Sequence, residues 1–332
     1  MAISSTDPEA GREARGVGPA PLAAASKPPG RQRGVLAEMA RHRTDYLWVT
    51  PALLVMLLVI GYPFVYTIDL SFFDTPPSSA NWYFNGVGNY TQILSDPTFW
   101  AVTLNTVYWA VGSTVLAFLI GLGAALVIQR EFIGRSLVRG LLMIPYVISY
   151  VAAAYVWRWL YHSDYGLISG VLYDAFIIDS PINFLDSTSL VMPSLIAANV
   201  WKEFPFAMIM LLAGLQTVPQ QLLNAARVDG ANAWNRFWHV TVPTLRGVII
   251  ITSILLFVGN LNSFGLVWIM TGGGPANASQ IWITQVYTLA FQSLQYGRAS
   301  AYSVILFIVM LALGYFYVRA LTGGGRKREA RG

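Results

Sequence analysis

Cysteine is absent from all 332 residues, and charged side chains are scarce. Without cysteine the chain can have no disulfide bond, no thiolate nucleophile and no cysteine-ligated metal. Charged residues make up 11% of the chain and hydrophobic residues 55%. Because soluble domains carry about 25% charged residues, this composition predicts a membrane protein.

Lysine is also scarce, and its positions exclude one kind of chemistry. Lys27, Lys202 and Lys327 all lie outside any GxxxxGK[ST] context, the loop that cradles nucleotide phosphates. The chain therefore cannot hydrolyse ATP by that route. The three histidines are far apart, no GxSxG motif occurs, and no long apolar segment holds two carboxylates. The sequence predicts a protein that is not an enzyme and binds no metal or cofactor of its own.

Six apolar segments are long enough to cross a membrane, since a hydrocarbon core about 30 Å thick needs about 20 apolar residues per helix. The predicted spans cover residues 47–70, 102–129, 137–160, 189–214, 243–270 and 300–320. They form one membrane domain, 46–320. Residues 1–45 have no apolar period and are predicted to be a disordered arm, and residues 321–332 a basic tail. The predicted fold class is an all-α membrane protein with six transmembrane helices.

Positive charge is concentrated on one side of this topology. Of the 21 lysines and arginines, 18 lie in the N-terminal arm, in the loops after the second and fourth spans, and at the C-terminal end. The loops at residues 71–100 and 161–188 contain none. Because cytoplasmic loops accumulate Lys and Arg, both termini are predicted to be cytoplasmic, in a multi-pass protein of the cytoplasmic membrane. The net charge of +5 follows this topology and does not indicate a nucleic-acid partner.

The loop after the fourth span, residues 217–243, has the pattern of two short helices. Gly230 suits the end of the first helix, because glycine tolerates left-handed geometry. Trp234, Phe237 and Trp238 form an apolar stripe at helical spacing, which we expect to pack against the membrane domain. The pattern predicts a docking element for a cytoplasmic partner. The alternative is an amphipathic helix that lies on lipid.

Two charged residues, Lys202 and Glu203, lie in the middle of the fourth span. A charge at the centre of a bilayer costs about 2.5–3.5 kcal/mol or more, so these side chains should face protein or a water-filled cavity. Adjacent positions do not face each other on a helix, so we do not expect a mutual pair. The two residues either hold helices or subunits together or line a substrate pathway. Arg158, near the outer end of the third span, is expected to snorkel to the interface.

A polar cluster of Asn260, Asn262 and Ser263 lies inside the fifth predicted span. Polar side chains there either bond across helices or line a route for a hydroxylated solute. Trp268, further along, either stacks on a sugar ring or belongs to an interfacial aromatic belt. The following glycine-rich turn, residues 271–275, is expected to be a flexible external loop.

Residues 214–243 resemble the cytoplasmic signature loop of permease subunits of binding-protein-dependent ABC importers, in which Glu-Ala-Ala is followed three residues later by Gly. In that family the loop forms a coupling helix that sits in a cleft of the ATPase. The resemblance implies that the contact positions are Asn224, Ala225, Ala226, Arg227, Asp229, Gly230, Ala231 and Trp234. Asn224 stands where the family usually has Glu, which removes a negative charge from that surface.

Further matches point to the carbohydrate branch of this family, and they lie at residues 50–72, 86–90, 201–216, 271–279 and 290–306. The resemblance implies a subunit of the first-permease type. Its partners would be a second homologous permease, two ATPase subunits, an extracytoplasmic substrate-binding protein and membrane lipid. ATP and Mg²⁺ would be used by the ATPase subunits, whose closure swings the permeases between inward- and outward-facing states.

The resemblance leaves the substrate open. An oligosaccharide of the trehalose or maltodextrin type is expected, with polyols and glycerol-phosphate compounds as alternatives. A phosphorylated substrate would favour basic residues along the route, where the sequence offers only Lys202 and Arg158. An ion-coupled secondary transporter, a different class, would show inverted repeats and midplane carboxylates, and Glu203 alone is deep. A membrane enzyme would need a paired acidic site, whereas the four aspartates of the 161–188 loop suit a solvated face.

Overall fold

A computed structural model describes residues 43–76 and 81–329, with side chains described within 48–317 and at residue 319. The predicted arm, residues 1–45, lies almost entirely outside this range. The chain divides into two units, residues 1–59 and 60–332. In the first unit, helix α1 spans Arg43–Met56 and is followed by the start of a π-helical turn, Leu57–Gly61.

The described residues of the second unit form helices and one two-stranded antiparallel sheet. Its first elements are α2 (Tyr62–Leu70), β1 (Phe73–Asp74), β2 (Tyr83–Phe84), α3 (Gly88–Ser95), α4 (Pro97–Ile128), α5 (Arg135–Val147), α6 (Tyr150–Leu160) and α7 (Leu167–Asp174). Its later elements are α8 (Val191–Gln216), α9 (Gln220–Val228), α10 (Ala233–Arg236), α11 (Val242–Leu261), α12 (Gly265–Thr271), α13 (Trp282–Tyr287) and α14 (Tyr296–Glu329). The two strands pair antiparallel, with Phe73 opposite Phe84.

Among the described residues, five helical segments are long and apolar enough to cross a membrane: Trp48–Leu70, Pro97–Ile128, Val191–Gln216, Ala233–Leu261 and Tyr296–Tyr317. A sixth span exists only if α5 and α6 are counted together. Five of the six predicted spans therefore correspond to long helices, although α14 runs on to Glu329, beyond the predicted end of span six.

The third predicted span, residues 137–160, is wrong as a continuous helix. α5 and α6 meet at 95°, and the chain between them is extended at Ile148 and Ser149. Ser149 caps the new helix, because its Oγ accepts a hydrogen bond from the N–H of Ala152 at 3.2 Å. A serine N-cap is a signal for a helix start, so the break had a local cause that apolar length alone conceals.

The fifth predicted span, residues 243–270, needs two corrections. Its helix begins earlier, because α10 continues through a π-helical turn at Phe237–Thr241 into α11. It also ends earlier, at Leu261, and a separate short helix, α12, follows after Ser263 and Phe264. Both α6 and α12 are thus short helices that follow a break, and they pack against each other.

The core lies where α4 and α8 pack together, with α11 against both. Most residues of α8 are buried, which makes it the central helix of the second unit. Gly121 lets α4 approach α8, since a Cβ atom there would lie 2.5 Å from the Cβ of Ala207. Trp109 on α4 and Leu195 and Met208 on α8 are completely buried. Small residues that permit close approach are a general device for packing helices in membranes.

The segments at the predicted external side are tied to the helices by side-chain hydrogen bonds. Asn89 donates to the carbonyls of Ser71 at 2.9 Å and Phe73 at 2.8 Å. Asp96 caps α4 and lies 3.5 Å from the guanidinium of Arg298. Hydrogen bonds from Thr98, with a smaller contribution from Arg298, hold the pKa of Asp96 below its ordinary value.

The glycine-rich turn after α12 is more constrained than expected. Asn105 on α4 donates to the carbonyls of Asn277 at 3.1 Å and Gln280 at 3.2 Å. Within the turn, Ser279 donates to the carbonyl of Gly274 and lies 2.8 Å from the hydroxyl of Thr271. These bonds fix the segment against α4, in contrast to the flexible loop that the glycines predicted.

Candidate functional site

The first helix of the 217–243 loop ends in a Schellman motif. The N–H of Ala231 donates to the carbonyl of Ala226 at 2.9 Å, and the N–H of Gly230 donates to the carbonyl of Arg227 at 3.0 Å. Gly230 has φ +80°, a backbone geometry that residues with a Cβ rarely adopt. The predicted helix end at Gly230 is therefore confirmed, and its shape depends on that residue.

The second helix, α10, is fixed at both ends. The Oδ1 of Asn232 accepts from the N–H of Asn235 at 2.8 Å, and Arg236 donates to the carbonyl of Ala231 at 2.7 Å. Through the π-helical turn at Phe237–Thr241, α10 is continuous with α11, so this part of the loop is joined to the fifth span without a break.

The loop presents an open surface. Six of the predicted contact residues are exposed: Asn224, Ala225, Arg227, Asp229, Gly230 and Trp234. Two more, Ala226 and Ala231, are half-buried.

The aromatic stripe does not anchor the loop as expected. Trp234 is 67% exposed and Trp238 47% exposed. These rings pack on each other and on Phe237, with centroids 5.3–6.4 Å apart. Among the described residues, none of the three rings belongs to the buried hydrophobic clusters or packs against them.

A buried polar network joins three helices at the centre of the bundle. The side-chain amide of Asn260 donates to Glu203 Oε2 at 3.1 Å and to Thr114 Oγ1 at 3.2 Å, and its oxygen accepts from Asn199 at 2.7 Å. Asn260 and Asn199 are fully buried, and Glu203 is 8% exposed. The indole N–H of Trp109 donates to the backbone carbonyl of Asn260 at 3.0 Å. We call these five residues the Asn260 network.

Lys202 holds the bend between α5 and α6. Its buried ammonium donates to the carbonyls of Pro145 and Tyr146, each at 3.3 Å, and to that of Ile148. It also lies 4.4 Å from the centre of the Tyr150 ring. The last carbonyls of a helix lack helical partners and favour a nearby cation. This geometry supports the structural alternative for Lys202.

The side chain of Glu203 contacts a different set of residues from that of Lys202. One carboxylate oxygen accepts from Asn260, and the other lies 3.5 Å from the hydroxyl of Tyr150. The side chain also borders a cavity of about 170 Å³, together with Tyr146, Tyr150, Phe206 and Gly259. Glu203 thus both belongs to the Asn260 network and reaches a small cavity between the helices.

The predicted cluster of Asn260, Asn262 and Ser263 is divided by the end of α11. Asn260 turns inward, whereas Asn262 is exposed and donates to the carbonyl of Val258 at 3.0 Å. Ser263 is half-buried at the break. Trp268, on α12, borders a second and larger cavity of about 520 Å³.

Sequence reasoning missed several members of this arrangement. Asn199 could have been found, because it precedes Lys202 and Glu203 by three and four residues and so shares their helix face. Thr114 and Tyr150 carry no such local signal and enter only through long-range packing. Within the described part of the chain, no three His, Asp or Glu side chains are close enough to hold a metal ion.

The sequence matches a known family and several curated proteins. Residues 117–323 match the family described as "Binding-protein-dependent transport system inner membrane component". A probable ABC transporter permease protein of Brucella suis is 30% identical over 86% of this chain and 98% of its own length. The trehalose/maltose transport system permease protein MalF of Thermococcus litoralis is 33% identical, over 83% of this chain and 93% of its own. The trehalose transport system permease protein SugA of Mycobacterium tuberculosis is also 33% identical, over 85% and 90%.

The fold matches a solved transporter as well. A bacterial alginate ABC transporter, crystallised with a periplasmic protein that holds an alginate pentasaccharide, contains a chain that superimposes with a TM-score of 0.72. The match covers 86% of this chain and 96% of that one, at 21% sequence identity. The resemblance noted in the signature loop is therefore confirmed over most of the sequence and of the fold.

Proposed function

Because this chain belongs to the family of inner membrane components of binding-protein-dependent transport systems, we propose that it is the membrane-spanning subunit of a sugar importer driven by separate ATPase subunits. It pairs with a second permease and receives its solute from an extracytoplasmic binding protein. Both termini and the 217–243 loop face the cytoplasm.

One observation supports the coupling role most directly. The backbone of the 217–243 loop is fixed by hydrogen bonds, while its surface is exposed. Its turn is closed by backbone hydrogen bonds from the N–H groups of Gly230 and Ala231, and its geometry leaves Ala225, Arg227 and Asp229 exposed. Small side chains allow an ATPase surface to approach closely. Since α10 is continuous with α11, a movement that the ATPase subunits impose on the loop also moves the helix that carries Asn260.

The substrate assignment draws on the relatives and on the centre of the bundle. Two curated relatives at 33% identity are named for trehalose or trehalose/maltose transport. We propose an oligosaccharide of that type, with Glu203, Asn262 and Ser263 along its route. Asn260 and Lys202 hold this route in shape, the first through the Asn260 network and the second at the bend.

The coupling role is tested by a bulky substitution at Gly230. Gly230→Val forces a β-branched residue into φ +80°, which costs about 1–2 kcal/mol or more, and should distort the turn. We expect binding-protein-stimulated ATP hydrolysis of the reconstituted complex to fall at least about tenfold, while the subunits still assemble.

Gly134 provides a matched control. It has φ +85°, and a Cβ atom there would likewise meet nothing within 4 Å, but it lies in the other predicted cytoplasmic loop. Gly134→Val imposes the same backbone strain away from the proposed contact, so coupling should persist. Equal coupling in both variants, or equal loss in both, would contradict the special role of Gly230.

A further inference from the structure

A cavity of about 520 Å³ lies beside Trp268, outside the Asn260 network, and we call it the Trp268 cavity. It lies between the end of α6, the segment before α8, and α12 with its following turn. Its volume is within the range of about 300–1,000 Å³ typical of small-molecule sites. Six side chains define its chemistry: Arg158, His162, Asn183, Asp186, Trp268 and Thr271.

This lining combines one aromatic face with many hydrogen-bonding groups. Trp268 supplies a flat apolar surface, and Asn183, Asp186 and Arg158 supply an amide, a carboxylate and a guanidinium. A sugar ring has an apolar face and a rim of hydroxyls, each of which both donates and accepts hydrogen bonds. On the basis of the proposed sugar-import function, we infer that the Trp268 cavity is an entry site that binds a neutral saccharide before it reaches the bundle centre.

The walls of the cavity are held in place by the fold. Trp268 packs on Phe264 at 5.6 Å and on Tyr287 at 4.6 Å between ring centroids. Arg158 donates to the backbone carbonyl of Ile269 at 3.5 Å. The turn beyond Thr271 is fixed by its own hydrogen bonds and by Asn105. A stacking platform needs such a fixed ring, because rigid placement reduces the ordering cost of binding.

The charges around the cavity select against an anionic solute. The lining contains one guanidinium, Arg158, and one carboxylate, Asp186. The 161–188 loop, which supplies part of the lining, also carries Asp164 directly after the lining residue Ser163 and has no lysine or arginine, whereas its Asp174 and Asp179 border a separate cavity. Because like charges repel and low-dielectric clefts strengthen this effect, a phosphorylated or carboxylated sugar is disfavoured at the mouth. A neutral oligosaccharide meets no such barrier.

Helix α12 links the Trp268 cavity to the polar residues at the end of α11. The helix begins just after Asn262 and Ser263, and it carries Trp268 about one turn further along. A saccharide released from Trp268 therefore meets the polar groups at the end of α11 next. The cavity thus forms the outer end of the route proposed above.

The test uses the complete importer in proteoliposomes, with its binding protein, and trehalose and maltotriose as probes. Trp268→Ala should lower the sugar taken up per ATP hydrolysed by about tenfold, since an aromatic contact and its buried area contribute about 1.4 kcal/mol, or one factor of ten. Trp268→Phe, which keeps a stacking face, should recover most of the uptake. Binding-protein-stimulated ATP hydrolysis should stay within about twofold in both variants.

Trp159→Ala is the matched control. Trp159 is an exposed tryptophan near the C-terminal end of α6, and it is not among the residues that line the Trp268 cavity. Saturation-transfer NMR of the complex without its binding protein adds a second readout. Trehalose should receive saturation that Trp268→Ala reduces and Trp159→Ala preserves, and glucuronate should receive much less. If Trp268→Ala and Trp159→Ala transport and bind alike, or if glucuronate matches trehalose, the inference is wrong. If the wild-type complex takes up neither sugar, the proposed sugar-import function itself fails.

Discussion

The 217–243 loop and the Asn260 network differ in the range of their hydrogen bonds and in their burial. The loop keeps its shape through hydrogen bonds between residues three to five apart in sequence and leaves most of its side chains exposed. The network joins residues of three helices, with Thr114 and Asn260 separated by 146 positions, and is almost fully buried. The loop is therefore open to a partner, whereas the network makes its hydrogen bonds within the chain, with Asn199 Oδ1 as its one buried side-chain atom that lacks a partner among the described residues.

This difference separates two kinds of mutational effect. A change in the loop should alter coupling to the ATPase subunits and leave the fold of this chain almost intact. A change in the network or at Lys202 should lower stability first, because it leaves buried polar groups without partners. The next three predictions test this separation, from the largest expected effect to the smallest.

Lys202→Met should give the largest loss of stability. The substitution keeps a long side chain but removes the charge that three carbonyls at the α5–α6 bend share. Hydrogen bonds to a charged group contribute about 1.5–3 kcal/mol, and we expect a loss of this size in the unfolding free energy of the purified permease pair. The melting temperature in detergent, followed by tryptophan fluorescence, measures it.

The control for this variant is Gln216→Met, at the exposed end of the same helix. It should change stability by no more than about 0.5 kcal/mol. A Lys202→Met protein as stable as this control would show that the bend does not depend on the ammonium.

Asn260→Leu should cost about 1–2 kcal/mol, the range found for hydrogen bonds between membrane helices. It removes the two hydrogen bonds that Asn260 donates to Glu203 and Thr114 and the one that Asn260 accepts from Asn199. Asn262→Leu, two residues further along, is a matched control, because that side chain is exposed and bonds only locally in the described contacts. Equal melting temperatures for the two variants would contradict the distinction between the network and the exposed helix end.

The sequence was most informative where the cause of structure is local. Gly230 marked a helix end because its geometry is set by neighbouring backbone groups, and apolar length located five of the spans. The bend at Ile148 was missed because a break inside an apolar segment leaves its mean composition unchanged. Its stabilising contact comes from Lys202, 54 positions away.

The candidate site shows the same limit. Asn260, Asn262 and Ser263 were grouped by proximity in sequence, but the end of α11 directs Asn260 inward and leaves Asn262 exposed. The aromatic stripe had helical spacing, yet spacing cannot tell whether a helix folds back on its own bundle or continues into the next span. Both outcomes depend on where a helix ends relative to its neighbours, which is a property of the whole fold.

Asn224→Glu should have the smallest effect and the opposite sign. Asn224 is exposed in α9, where the family's signature loop usually carries Glu, so the substitution restores a negative charge at the proposed ATPase surface. An exposed ion pair contributes about 0.2–1 kcal/mol, and we expect the ATPase subunits to bind up to about fivefold more tightly, with the melting temperature of the permease pair unchanged. Asn235→Glu, exposed on α10, places the same charge outside the signature positions and should not tighten binding. The gain should also shrink at high salt, because exposed charges are screened. Surface plasmon resonance at two ionic strengths measures the affinity of the ATPase subunits for each variant. A gain in affinity that is insensitive to salt, or that Asn235→Glu shares, would mean that the charge at position 224 does not contact the partner.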